Sequence, residues 1–258
     1  MSKVVIGFLV GAGLLIAARF GIARYPQVTK EQSEYQAELK GATPIRDGSV
    51  TAKELVRRTL YNGIRQGEND KPINELIAPL KGQKLVYGLT LMVRRVQEFT
   101  GTETPKNYFH LLAGESDLVI RGKALNQDSQ ITADGMFLFS DYRVGVTEVF
   151  KNNSAVPIEV GDTINVALPG GKVLIDAVIV KASGNSTAIL PVNDAEVVLF
   201  LKYIPETGDY KLARYNGSFE LNSHSVRALA GRFPADFLKD EASFLKTLRT
   251  ASERLGNR

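Results

Sequence analysis

The feature that most constrains the fold is a strand-rich stretch over residues 116–203, centred on the run of residues 136–150. Tyr142, Val144 and Val146 lie two residues apart, which is the spacing of a strand with one buried face. The run is long for a single straight strand, so we expect a bend or bulge near Gly145. The stretch therefore predicts a small β-barrel that is closed or nearly closed.

Five strands are predicted for this barrel, and a final pair of strands follows them. The segment over residues 196–203 is apolar at nearly every position, which is typical of a strand buried on both faces. Asn216 and Gly217 form the kind of turn that joins two paired strands. The five predicted strands cover residues 116–124, 136–150, 160–168, 172–180 and 196–203, and the final pair covers residues 209–212 and 218–221.

Composition and charge exclude several classes of function. The chain contains no cysteine, which rules out disulfides, thiolate metal sites and a cysteine nucleophile. Residues 1–100 hold 15 basic and 9 acidic side chains, residues 101–203 hold 8 and 12, and residues 204–258 hold 9 and 7. The predicted barrel is therefore acidic, whereas a nucleic-acid surface needs clustered cations on the binding domain itself. The basic flanks favour an anionic membrane surface over nucleic acid.

The N-terminal region has the character of a membrane or export segment. Residues 4–18 form an apolar run without a charged side chain. Together with residues 19–23, the run reaches the roughly 20 residues that a membrane-spanning helix needs. Residues 1–24 are therefore predicted to be a membrane anchor or a signal peptide, with Gly21 and Ala23 as small residues at a cleavage site.

Both alternatives predict an exported protein. In the first, the chain is single-pass, anchored in the membrane through residues 4–23, and its domain faces the extracytoplasmic side. In the second, the domain is secreted after signal cleavage. The charges that flank the apolar run, Lys3 and Arg19, do not decide the orientation, because both ends are positive.

Residues 25–100 are predicted to form a linker and a helical region. Thr51 and Glu54 have the spacing of a capping box, and apolar residues then recur at helical spacing as far as Ile64. Arginines on the other face of this helix are predicted to be solvated: Arg57, Arg58 and Arg65. A short helix is predicted over residues 72–80.

Residues 83–99 fit either a helix or a strand, and a helix is favoured because Arg94, Arg95 and Glu98 then share one side. Residues 100–105 have the composition of a linker. The barrel domain is predicted to cover residues 106–225. Residues 234–256 are predicted to form an amphipathic helix that ends at Gly256.

Four segments together resemble a known class of module: residues 116–123, 142–151, 160–164 and 197–203. Their succession resembles the five-stranded OB-like barrels of netrin-like (tissue-inhibitor-type) modules, and barrels of the same pattern in exported bacterial proteins. The resemblance covers residues 116–203 and implies a ligand site on one face of the barrel and its bordering loops. Protease-inhibiting members use an N-terminal cysteine, which this chain lacks, so their mechanism is not implied.

Side chains suited to catalysis or metal binding are few. His110 lies in an apolar run and is predicted to pack, whereas His224 lies in a serine-rich turn and is predicted to be exposed. Two histidines without cysteine or an H-E-x-x-H motif do not make an ordinary zinc site. Gly170 and Gly171 predict a turn and not a phosphate-binding loop. The acidic residues in or beside strands show no calcium-loop pattern: Asp117, Asp134, Asp141, Glu148, Glu159 and Asp162.

These features predict an α+β fold with an N-terminal membrane helix, a small helical region, a five-stranded OB-like β-barrel and a C-terminal amphipathic helix. The predicted function is a membrane-tethered or secreted extracytoplasmic binding module with a protein or glycan partner. No enzyme activity, catalytic residue, cofactor site or metal site is predicted. Two alternatives stay open: a hydrolase or transferase that uses carboxylates at the barrel rim, and an OB-fold nucleic-acid-binding protein.

Overall fold

The computed structural model describes residues 30–45, 51–64, 71–90, 104–183, 189–192, 195–231, 233, 238 and 240–256. This part of the chain contains five α-helices and a 3₁₀ turn over Ala78–Leu80. The helices are α1 (Lys30–Leu39), α2 (Ala52–Thr59), α3 (Ile73–Ile77), α4 (Pro105–Glu115) and α5 (Glu241–Gly256).

Eleven strands among the described residues form two sheets. The smaller sheet has the strand order β1-β6-β7-β2, and the larger has the order β11-β10-β8-β3-β4-β5-β9. The strands are β1 (Thr43–Pro44), β2 (Leu85–Thr90), β3 (Leu118–Ile131), β4 (Leu138–Asn152), β5 (Thr163–Pro169), β6 (Gly171–Ile175), β7 (Val178–Ser183), β8 (Glu196–Ile204), β9 (Asp209–Leu212), β10 (Ser218–Asn222) and β11 (Ser225–Ala228).

Five strands of the larger sheet close into a ring, because β9 pairs with both β5 and β8. Val166 of β5 lies opposite Tyr210 of β9 in a parallel pairing. Leu201 of β8 lies opposite Leu212 of β9 in an antiparallel pairing. Alternate side chains point into the ring, where they form a buried cluster that includes Leu118, Ile120, Tyr142, Val144, Val166, Leu199 and Tyr210. The side chains between them face outward.

The two longest strands of the ring, β3 and β4, bend through three register shifts. Gly145 lies among these shifts, so the irregularity predicted near this glycine is confirmed. Gly122 packs so closely that an added Cβ would lie 2.5 Å from the Gly145 carbonyl oxygen. Beyond the shift that skips Leu125, Asp128 lies directly opposite Asp141.

The two sheets join where β5 runs into β6. Gly171 has a φ of 136°, and an added Cβ would lie 2.5 Å from the Ser129 hydroxyl oxygen. The hydroxyls of Ser129 and Ser140 are hydrogen-bonded to each other at 2.8 Å. Ser140 also donates to the Gly170 carbonyl at 2.8 Å. The junction therefore excludes any side chain at residue 171, because buried polar groups occupy that space.

Helices α4 and α5 contribute to a second cluster on the outer side of β8 and β10. Lys151 is buried, and its ammonium donates to the carbonyls of Ala113 and Ser116 at 2.7 and 2.6 Å. This places a cation at the C-terminal end of α4, where the helix dipole favours it, although burial lowers the pKa of Lys151. The aromatic centre of the cluster consists of Phe109, Phe200, Phe219 and Phe244.

The predicted fold class is wrong, because the described residues form a mixed two-sheet structure and not one barrel beside a helical region. The single strand predicted over residues 172–180 is two strands, since Asp176 and Ala177 adopt positive φ and reverse the chain between β6 and β7. The predicted final pair does not form either. β9 pairs with β5 and β8, whereas β10 pairs with β8 and β11.

Two helix predictions also need correction. The helix favoured over residues 83–99 is wrong for Leu85–Thr90, which form β2 and pair in parallel with β7; residues 91–99 lie outside the described residues. The C-terminal helix begins at Glu241, later than predicted, and residues 234–237 lie outside the described residues as well.

The predicted membrane helix falls in residues 1–29, which also lie outside the described residues. Of the helices that the structure does describe, none combines the length and the apolar character needed to cross a membrane. The structure therefore gives the membrane helix no support, and the fold class is corrected to the two-sheet architecture of the described residues.

Gly171→Ala tests the junction between the sheets. We expect a loss of about 2–4 kcal/mol in the free energy of unfolding, because the new Cβ meets buried hydroxyls at a positive φ. Urea unfolding of the full chain measures the change. Gly114→Ala is the control: an added Cβ there meets nothing within 4 Å, so stability should change by less than about 1 kcal/mol. Equal effects of the two substitutions would contradict the tight junction.

Candidate functional site

A polar cleft of about 870 Å³ lies between α2, β1 and the outer face of β3, β4 and β5. Residues 43–45 form one wall, and Ser129 N donates to Thr43 Oγ1 at 2.9 Å, which ties this wall to β3. Helix α2 forms the opposite wall with Lys53, Glu54, Arg57 and Arg58. The floor consists of outward-facing strand residues: Asp128, Gln130, Asp141, Arg143 and Asn165.

Helix α2 begins as the sequence predicts and ends earlier. The Glu54 amide donates to Thr51 Oγ1 at 3.2 Å, which confirms Thr51 as the N-cap. The Glu54 carboxylate accepts a hydrogen bond from Arg58 Nη2 at 2.8 Å. The helix ends at Thr59, and the chain then turns through Gly63, whose φ is 84°. The arginines of α2 therefore lie over the outer face of the ring.

Asp209, at the start of β9, is the most buried carboxylate at this site, with a side chain only 2% exposed. Arg57 contacts its Oδ2 twice, from Nε and from Nη2, at 2.6 Å each. Lys53 Nζ lies 3.1 Å from Oδ1, and Asn165 Nδ2 donates to the same oxygen at 3.2 Å. Both oxygens of this buried carboxylate are therefore engaged, as a buried charge requires.

Asp141 of β4 is less well paired. Its nearest cation is Arg57, with Nη1 3.6 Å from Oδ2. Its Oδ1 is buried and accepts no hydrogen bond from the described residues. Burial raises the pKa of Asp141 to about 6, and the neighbouring charges of Asp209, Asp128 and Glu54 act in the same direction, while Arg57 opposes them. The cleft thus contains a carboxyl group that titrates close to neutral pH.

Two charged side chains on the floor have no ion-pair partner within the described part of the chain. Asp128 lies directly opposite Asp141 in the strand register, and its carboxylate has no ion pair with a described residue. Arg143, the next outward residue on β4, is exposed, and its guanidinium likewise has no ion pair there. By contrast, the wall residue Arg58 donates to Gln130 Oε1 at 3.2 Å as well as to Glu54. The groups free to contact a ligand are therefore on the floor.

The structure does not bring the two histidines to this cleft. His110 Nδ1 lies 3.4 Å from the carbonyl oxygen of Ala251, so this side chain packs between α4 and α5 as predicted. His224 is exposed, also as predicted. Within the described residues, no group of three or more metal-ligating side chains is placed to hold a metal ion.

Of the six acidic residues singled out in the sequence, only Asp141 lies in the cleft. Asp117 pairs with Lys202 at 2.8 Å, and Glu148 pairs with Arg249 at 2.8 Å. The other three lie in turns or loops: Asp134 accepts from Gly63 N, Asp162 accepts from Glu159 N, and the Glu159 side chain is exposed.

Sequence reasoning missed Asp128 and Asp209 as candidates. It also predicted Arg57 to be solvated, but the Arg57 side chain is 16% exposed and lies on two carboxylates. Asp128 and Gln130 lie two residues apart, as do Asp141 and Arg143, and this spacing is a signal that could have placed each pair on one strand face. Their juxtaposition depends on the register, which the sequence pattern does not show.

No protein-family model matches this chain, and no curated protein matches it either. Function must therefore be inferred from the geometry of the cleft.

Asp141→Asn should change the pH dependence of stability. The folded pKa of about 6 lies above the ordinary value of 3.8, so the contribution of this group to stability is fully present below the ordinary pKa and is lost as the pH rises through about 6. Asparagine stays neutral, so the variant should gain about 1–3 kcal/mol relative to the wild type between about pH 4 and pH 7. Urea unfolding across this range is the measurement.

The matched control for this substitution is Asp176→Asn. The Asp176 side chain is 56% exposed, and among the described residues it pairs with Lys81 at the surface. Its stability difference from the wild type should not grow across the same pH range, because a surface ion pair is weak and screened. A pH-independent difference for Asp141→Asn would show that the buried carboxyl does not titrate as inferred.

Proposed function

We propose that this chain is a binding module and that the cleft between α2, β1 and the ring is its ligand site. The observation that supports this most is a set of groups on the cleft floor that have no partner among the described residues: the Asp128 carboxylate, Asp141 Oδ1 and the Arg143 guanidinium. Ligand sites fix the orientation of a ligand with a few well-placed polar groups. Titratable groups with shifted pKa values are found preferentially at functional sites.

The chemistry of the cleft supports a hydrogen-bonding ligand that carries both donors and acceptors. Carboxylates on the floor accept from amines, amides and hydroxyls, and Arg143 donates to carboxylates or carbonyls. A segment of a protein or a glycan meets both needs. Nucleic acid is disfavoured, because Asp128 and Asp141 repel phosphates and the cations of α2 are already paired.

The outer face of a five-stranded ring is also where the resemblance to OB-like modules implies a ligand. That resemblance remains a proposal, supported by the order of the ring strands and the parallel β5–β9 pairing. An extracytoplasmic location likewise remains a proposal, supported by the uncharged run over residues 4–18.

Ligand screening with matched variants tests the binding site. The full chain is applied to a glycan array and a peptide library, and the hits are measured by calorimetry. Arg143→Gln and Asp128→Asn should each weaken binding by about 10-fold or more, because each removes a charge-assisted contact. Lys246→Gln, an exposed position on α5, should leave affinity unchanged. Hits that bind all three variants like the wild type would place the ligand outside the cleft.

A second candidate function, a hydrolase or transferase, is favoured by one observation. Asp141, with its pKa raised to about 6, faces Asp128 across the strand pair. A carboxyl group with a pKa of about 6 is half protonated at that pH, so it can act as a general acid beside a second carboxylate in mildly acidic solution.

Mass spectrometry of bound ligands separates the two functions. A binding module returns each hit intact after prolonged incubation with the full chain. An enzyme cleaves or modifies the hit, and Asp141→Asn abolishes turnover while binding persists, because asparagine hydrogen-bonds without donating a proton to the reaction. Intact ligand at every pH between about 5 and 8 would rule the enzyme out.

A further inference from the structure

Helix α2 lies on the ring without burying any of its residues. None of the eight residues of Ala52–Thr59 is buried, and the largest apolar side chain of the helix, Leu55, is 52% exposed. A surface helix normally packs an apolar stripe against the core. The attachment of α2 therefore depends on its charged side chains and on one backbone hydrogen bond, from Ala133 N in the turn between β3 and β4 to the Arg58 carbonyl at 2.9 Å.

These charged contacts converge on one carboxylate. Lys53 and Arg57 are four residues apart, so they lie on the same side of the helix. Both reach Asp209, and Arg57 extends to Asp141. Asp209 is in turn oriented by Asn165. The outer face of the ring thus recognises a pair of basic side chains on a helix, and α2 occupies that place.

The chain beyond α2 has anchors of its own. The Tyr61 hydroxyl donates to the Ala167 carbonyl at 2.8 Å, and the Gly63 amide donates to Asp134 Oδ2 at 2.8 Å. Both contacts follow the end of the helix at Thr59. Release of α2 would therefore break its ion pairs and the backbone hydrogen bond from Ala133 N to the Arg58 carbonyl, while the contacts of residues 61–64 stay in place.

We propose that α2 stands in for a basic segment of a protein partner, and that such a segment displaces α2 and binds the same surface. This inference rests on the proposed binding function and deepens it by giving the partner's chemistry: a helical segment with two basic residues four positions apart. The surface it would bind is formed by Asp128, Asp141 and Asp209, together with Asn165 of β5.

Charge supports this choice of partner. Once α2 leaves, the charged groups of the described cleft floor and of Asp209 are three carboxylates and one cation, Arg143. Such a surface attracts a basic peptide and repels nucleic acid and acidic proteins. Guanidinium groups suit buried carboxylates because their charge-assisted hydrogen bonds are short and directional. A partner replaces α2 when its contacts beyond those of α2 outweigh the advantage that α2 has as part of the same chain.

Peptide binding to the full chain tests the displacement. The probe is a fluorescent peptide with the sequence of residues 51–64, and binding is followed by anisotropy. The double variant Lys53→Ala/Arg57→Ala vacates the surface, so it should bind the probe at least about 10-fold more tightly than the wild type. Adding Asp209→Asn to this variant should remove the gain. A probe carrying glutamine at the positions of Lys53 and Arg57 should not bind.

Equal affinity of the wild type and the double variant, or equal binding of the charged and neutral probes, would overturn the proposal. Hydrogen exchange on the wild type gives a second readout that needs no destabilising substitution. Probe at a concentration above the roughly millimolar effective concentration of the tethered helix should accelerate exchange of the α2 amides and leave those of β4 unchanged, because α2 is released. Unchanged or slower α2 exchange would overturn displacement.

This result and the ligand screen can fail independently. Loss of ligand binding in Arg143→Gln concerns the cleft with α2 in place, whereas the probe experiment concerns the surface beneath α2. Ligands that bind through Arg143 without any release of α2 would support the cleft and reject the basic partner.

Discussion

Closure of the five-stranded ring through β9 is the constraint on which the rest of the structure depends. This strand has four residues, Asp209–Leu212, yet it pairs in parallel with β5 and in antiparallel with β8. Tyr210 and Leu212 fill the interior of the ring, so strand alternation turns Asp209 outward. The residue that begins the closing strand therefore puts a carboxylate on the outer face, and the position of α2 follows from the need to pair that charge.

Asp209 and Asp141 show two different solutions to burying a carboxylate. Asp209 is engaged at both oxygens by Arg57, Lys53 and Asn165, so its charge is compensated. Asp141 shares only the more distant Nη1 of Arg57 and keeps one buried oxygen without a described partner. An uncompensated buried charge destabilises a fold, and such positions favour ligand contact because a ligand can supply the missing partner.

Sequence patterns predicted the ring strands better than the second sheet, for physical reasons. In β4, Tyr142, Val144 and Val146 alternate with outward residues, so the strand has a readable period. In β2 the run Leu85–Thr90 is a short, mostly apolar segment, and such a segment fits a strand and a helix alike. Its parallel partner β7 is remote in the chain, so no local pattern indicates the pairing. The turn at Asp176 and Ala177 carries no glycine or proline to mark it. The opposition of Asp128 and Asp141 follows from the register shift at Leu125, which no local pattern shows.

The cleft has two walls of different kinds, and this difference determines where a ligand can gain energy. The β1 wall is held by backbone pairing with β6 and by the hydrogen bond from Ser129 to Thr43. The α2 wall is held by ion pairs and by one backbone hydrogen bond, from Ala133 N to the Arg58 carbonyl. The side chains of Arg57 and Arg58 are already paired, so a ligand that contacts them must first break a contact within the protein. A ligand that contacts Asp128 or Arg143 breaks no ion pair between described residues. Binding that leaves α2 in place must therefore depend on the floor, whereas binding through Asp209 requires the departure of α2.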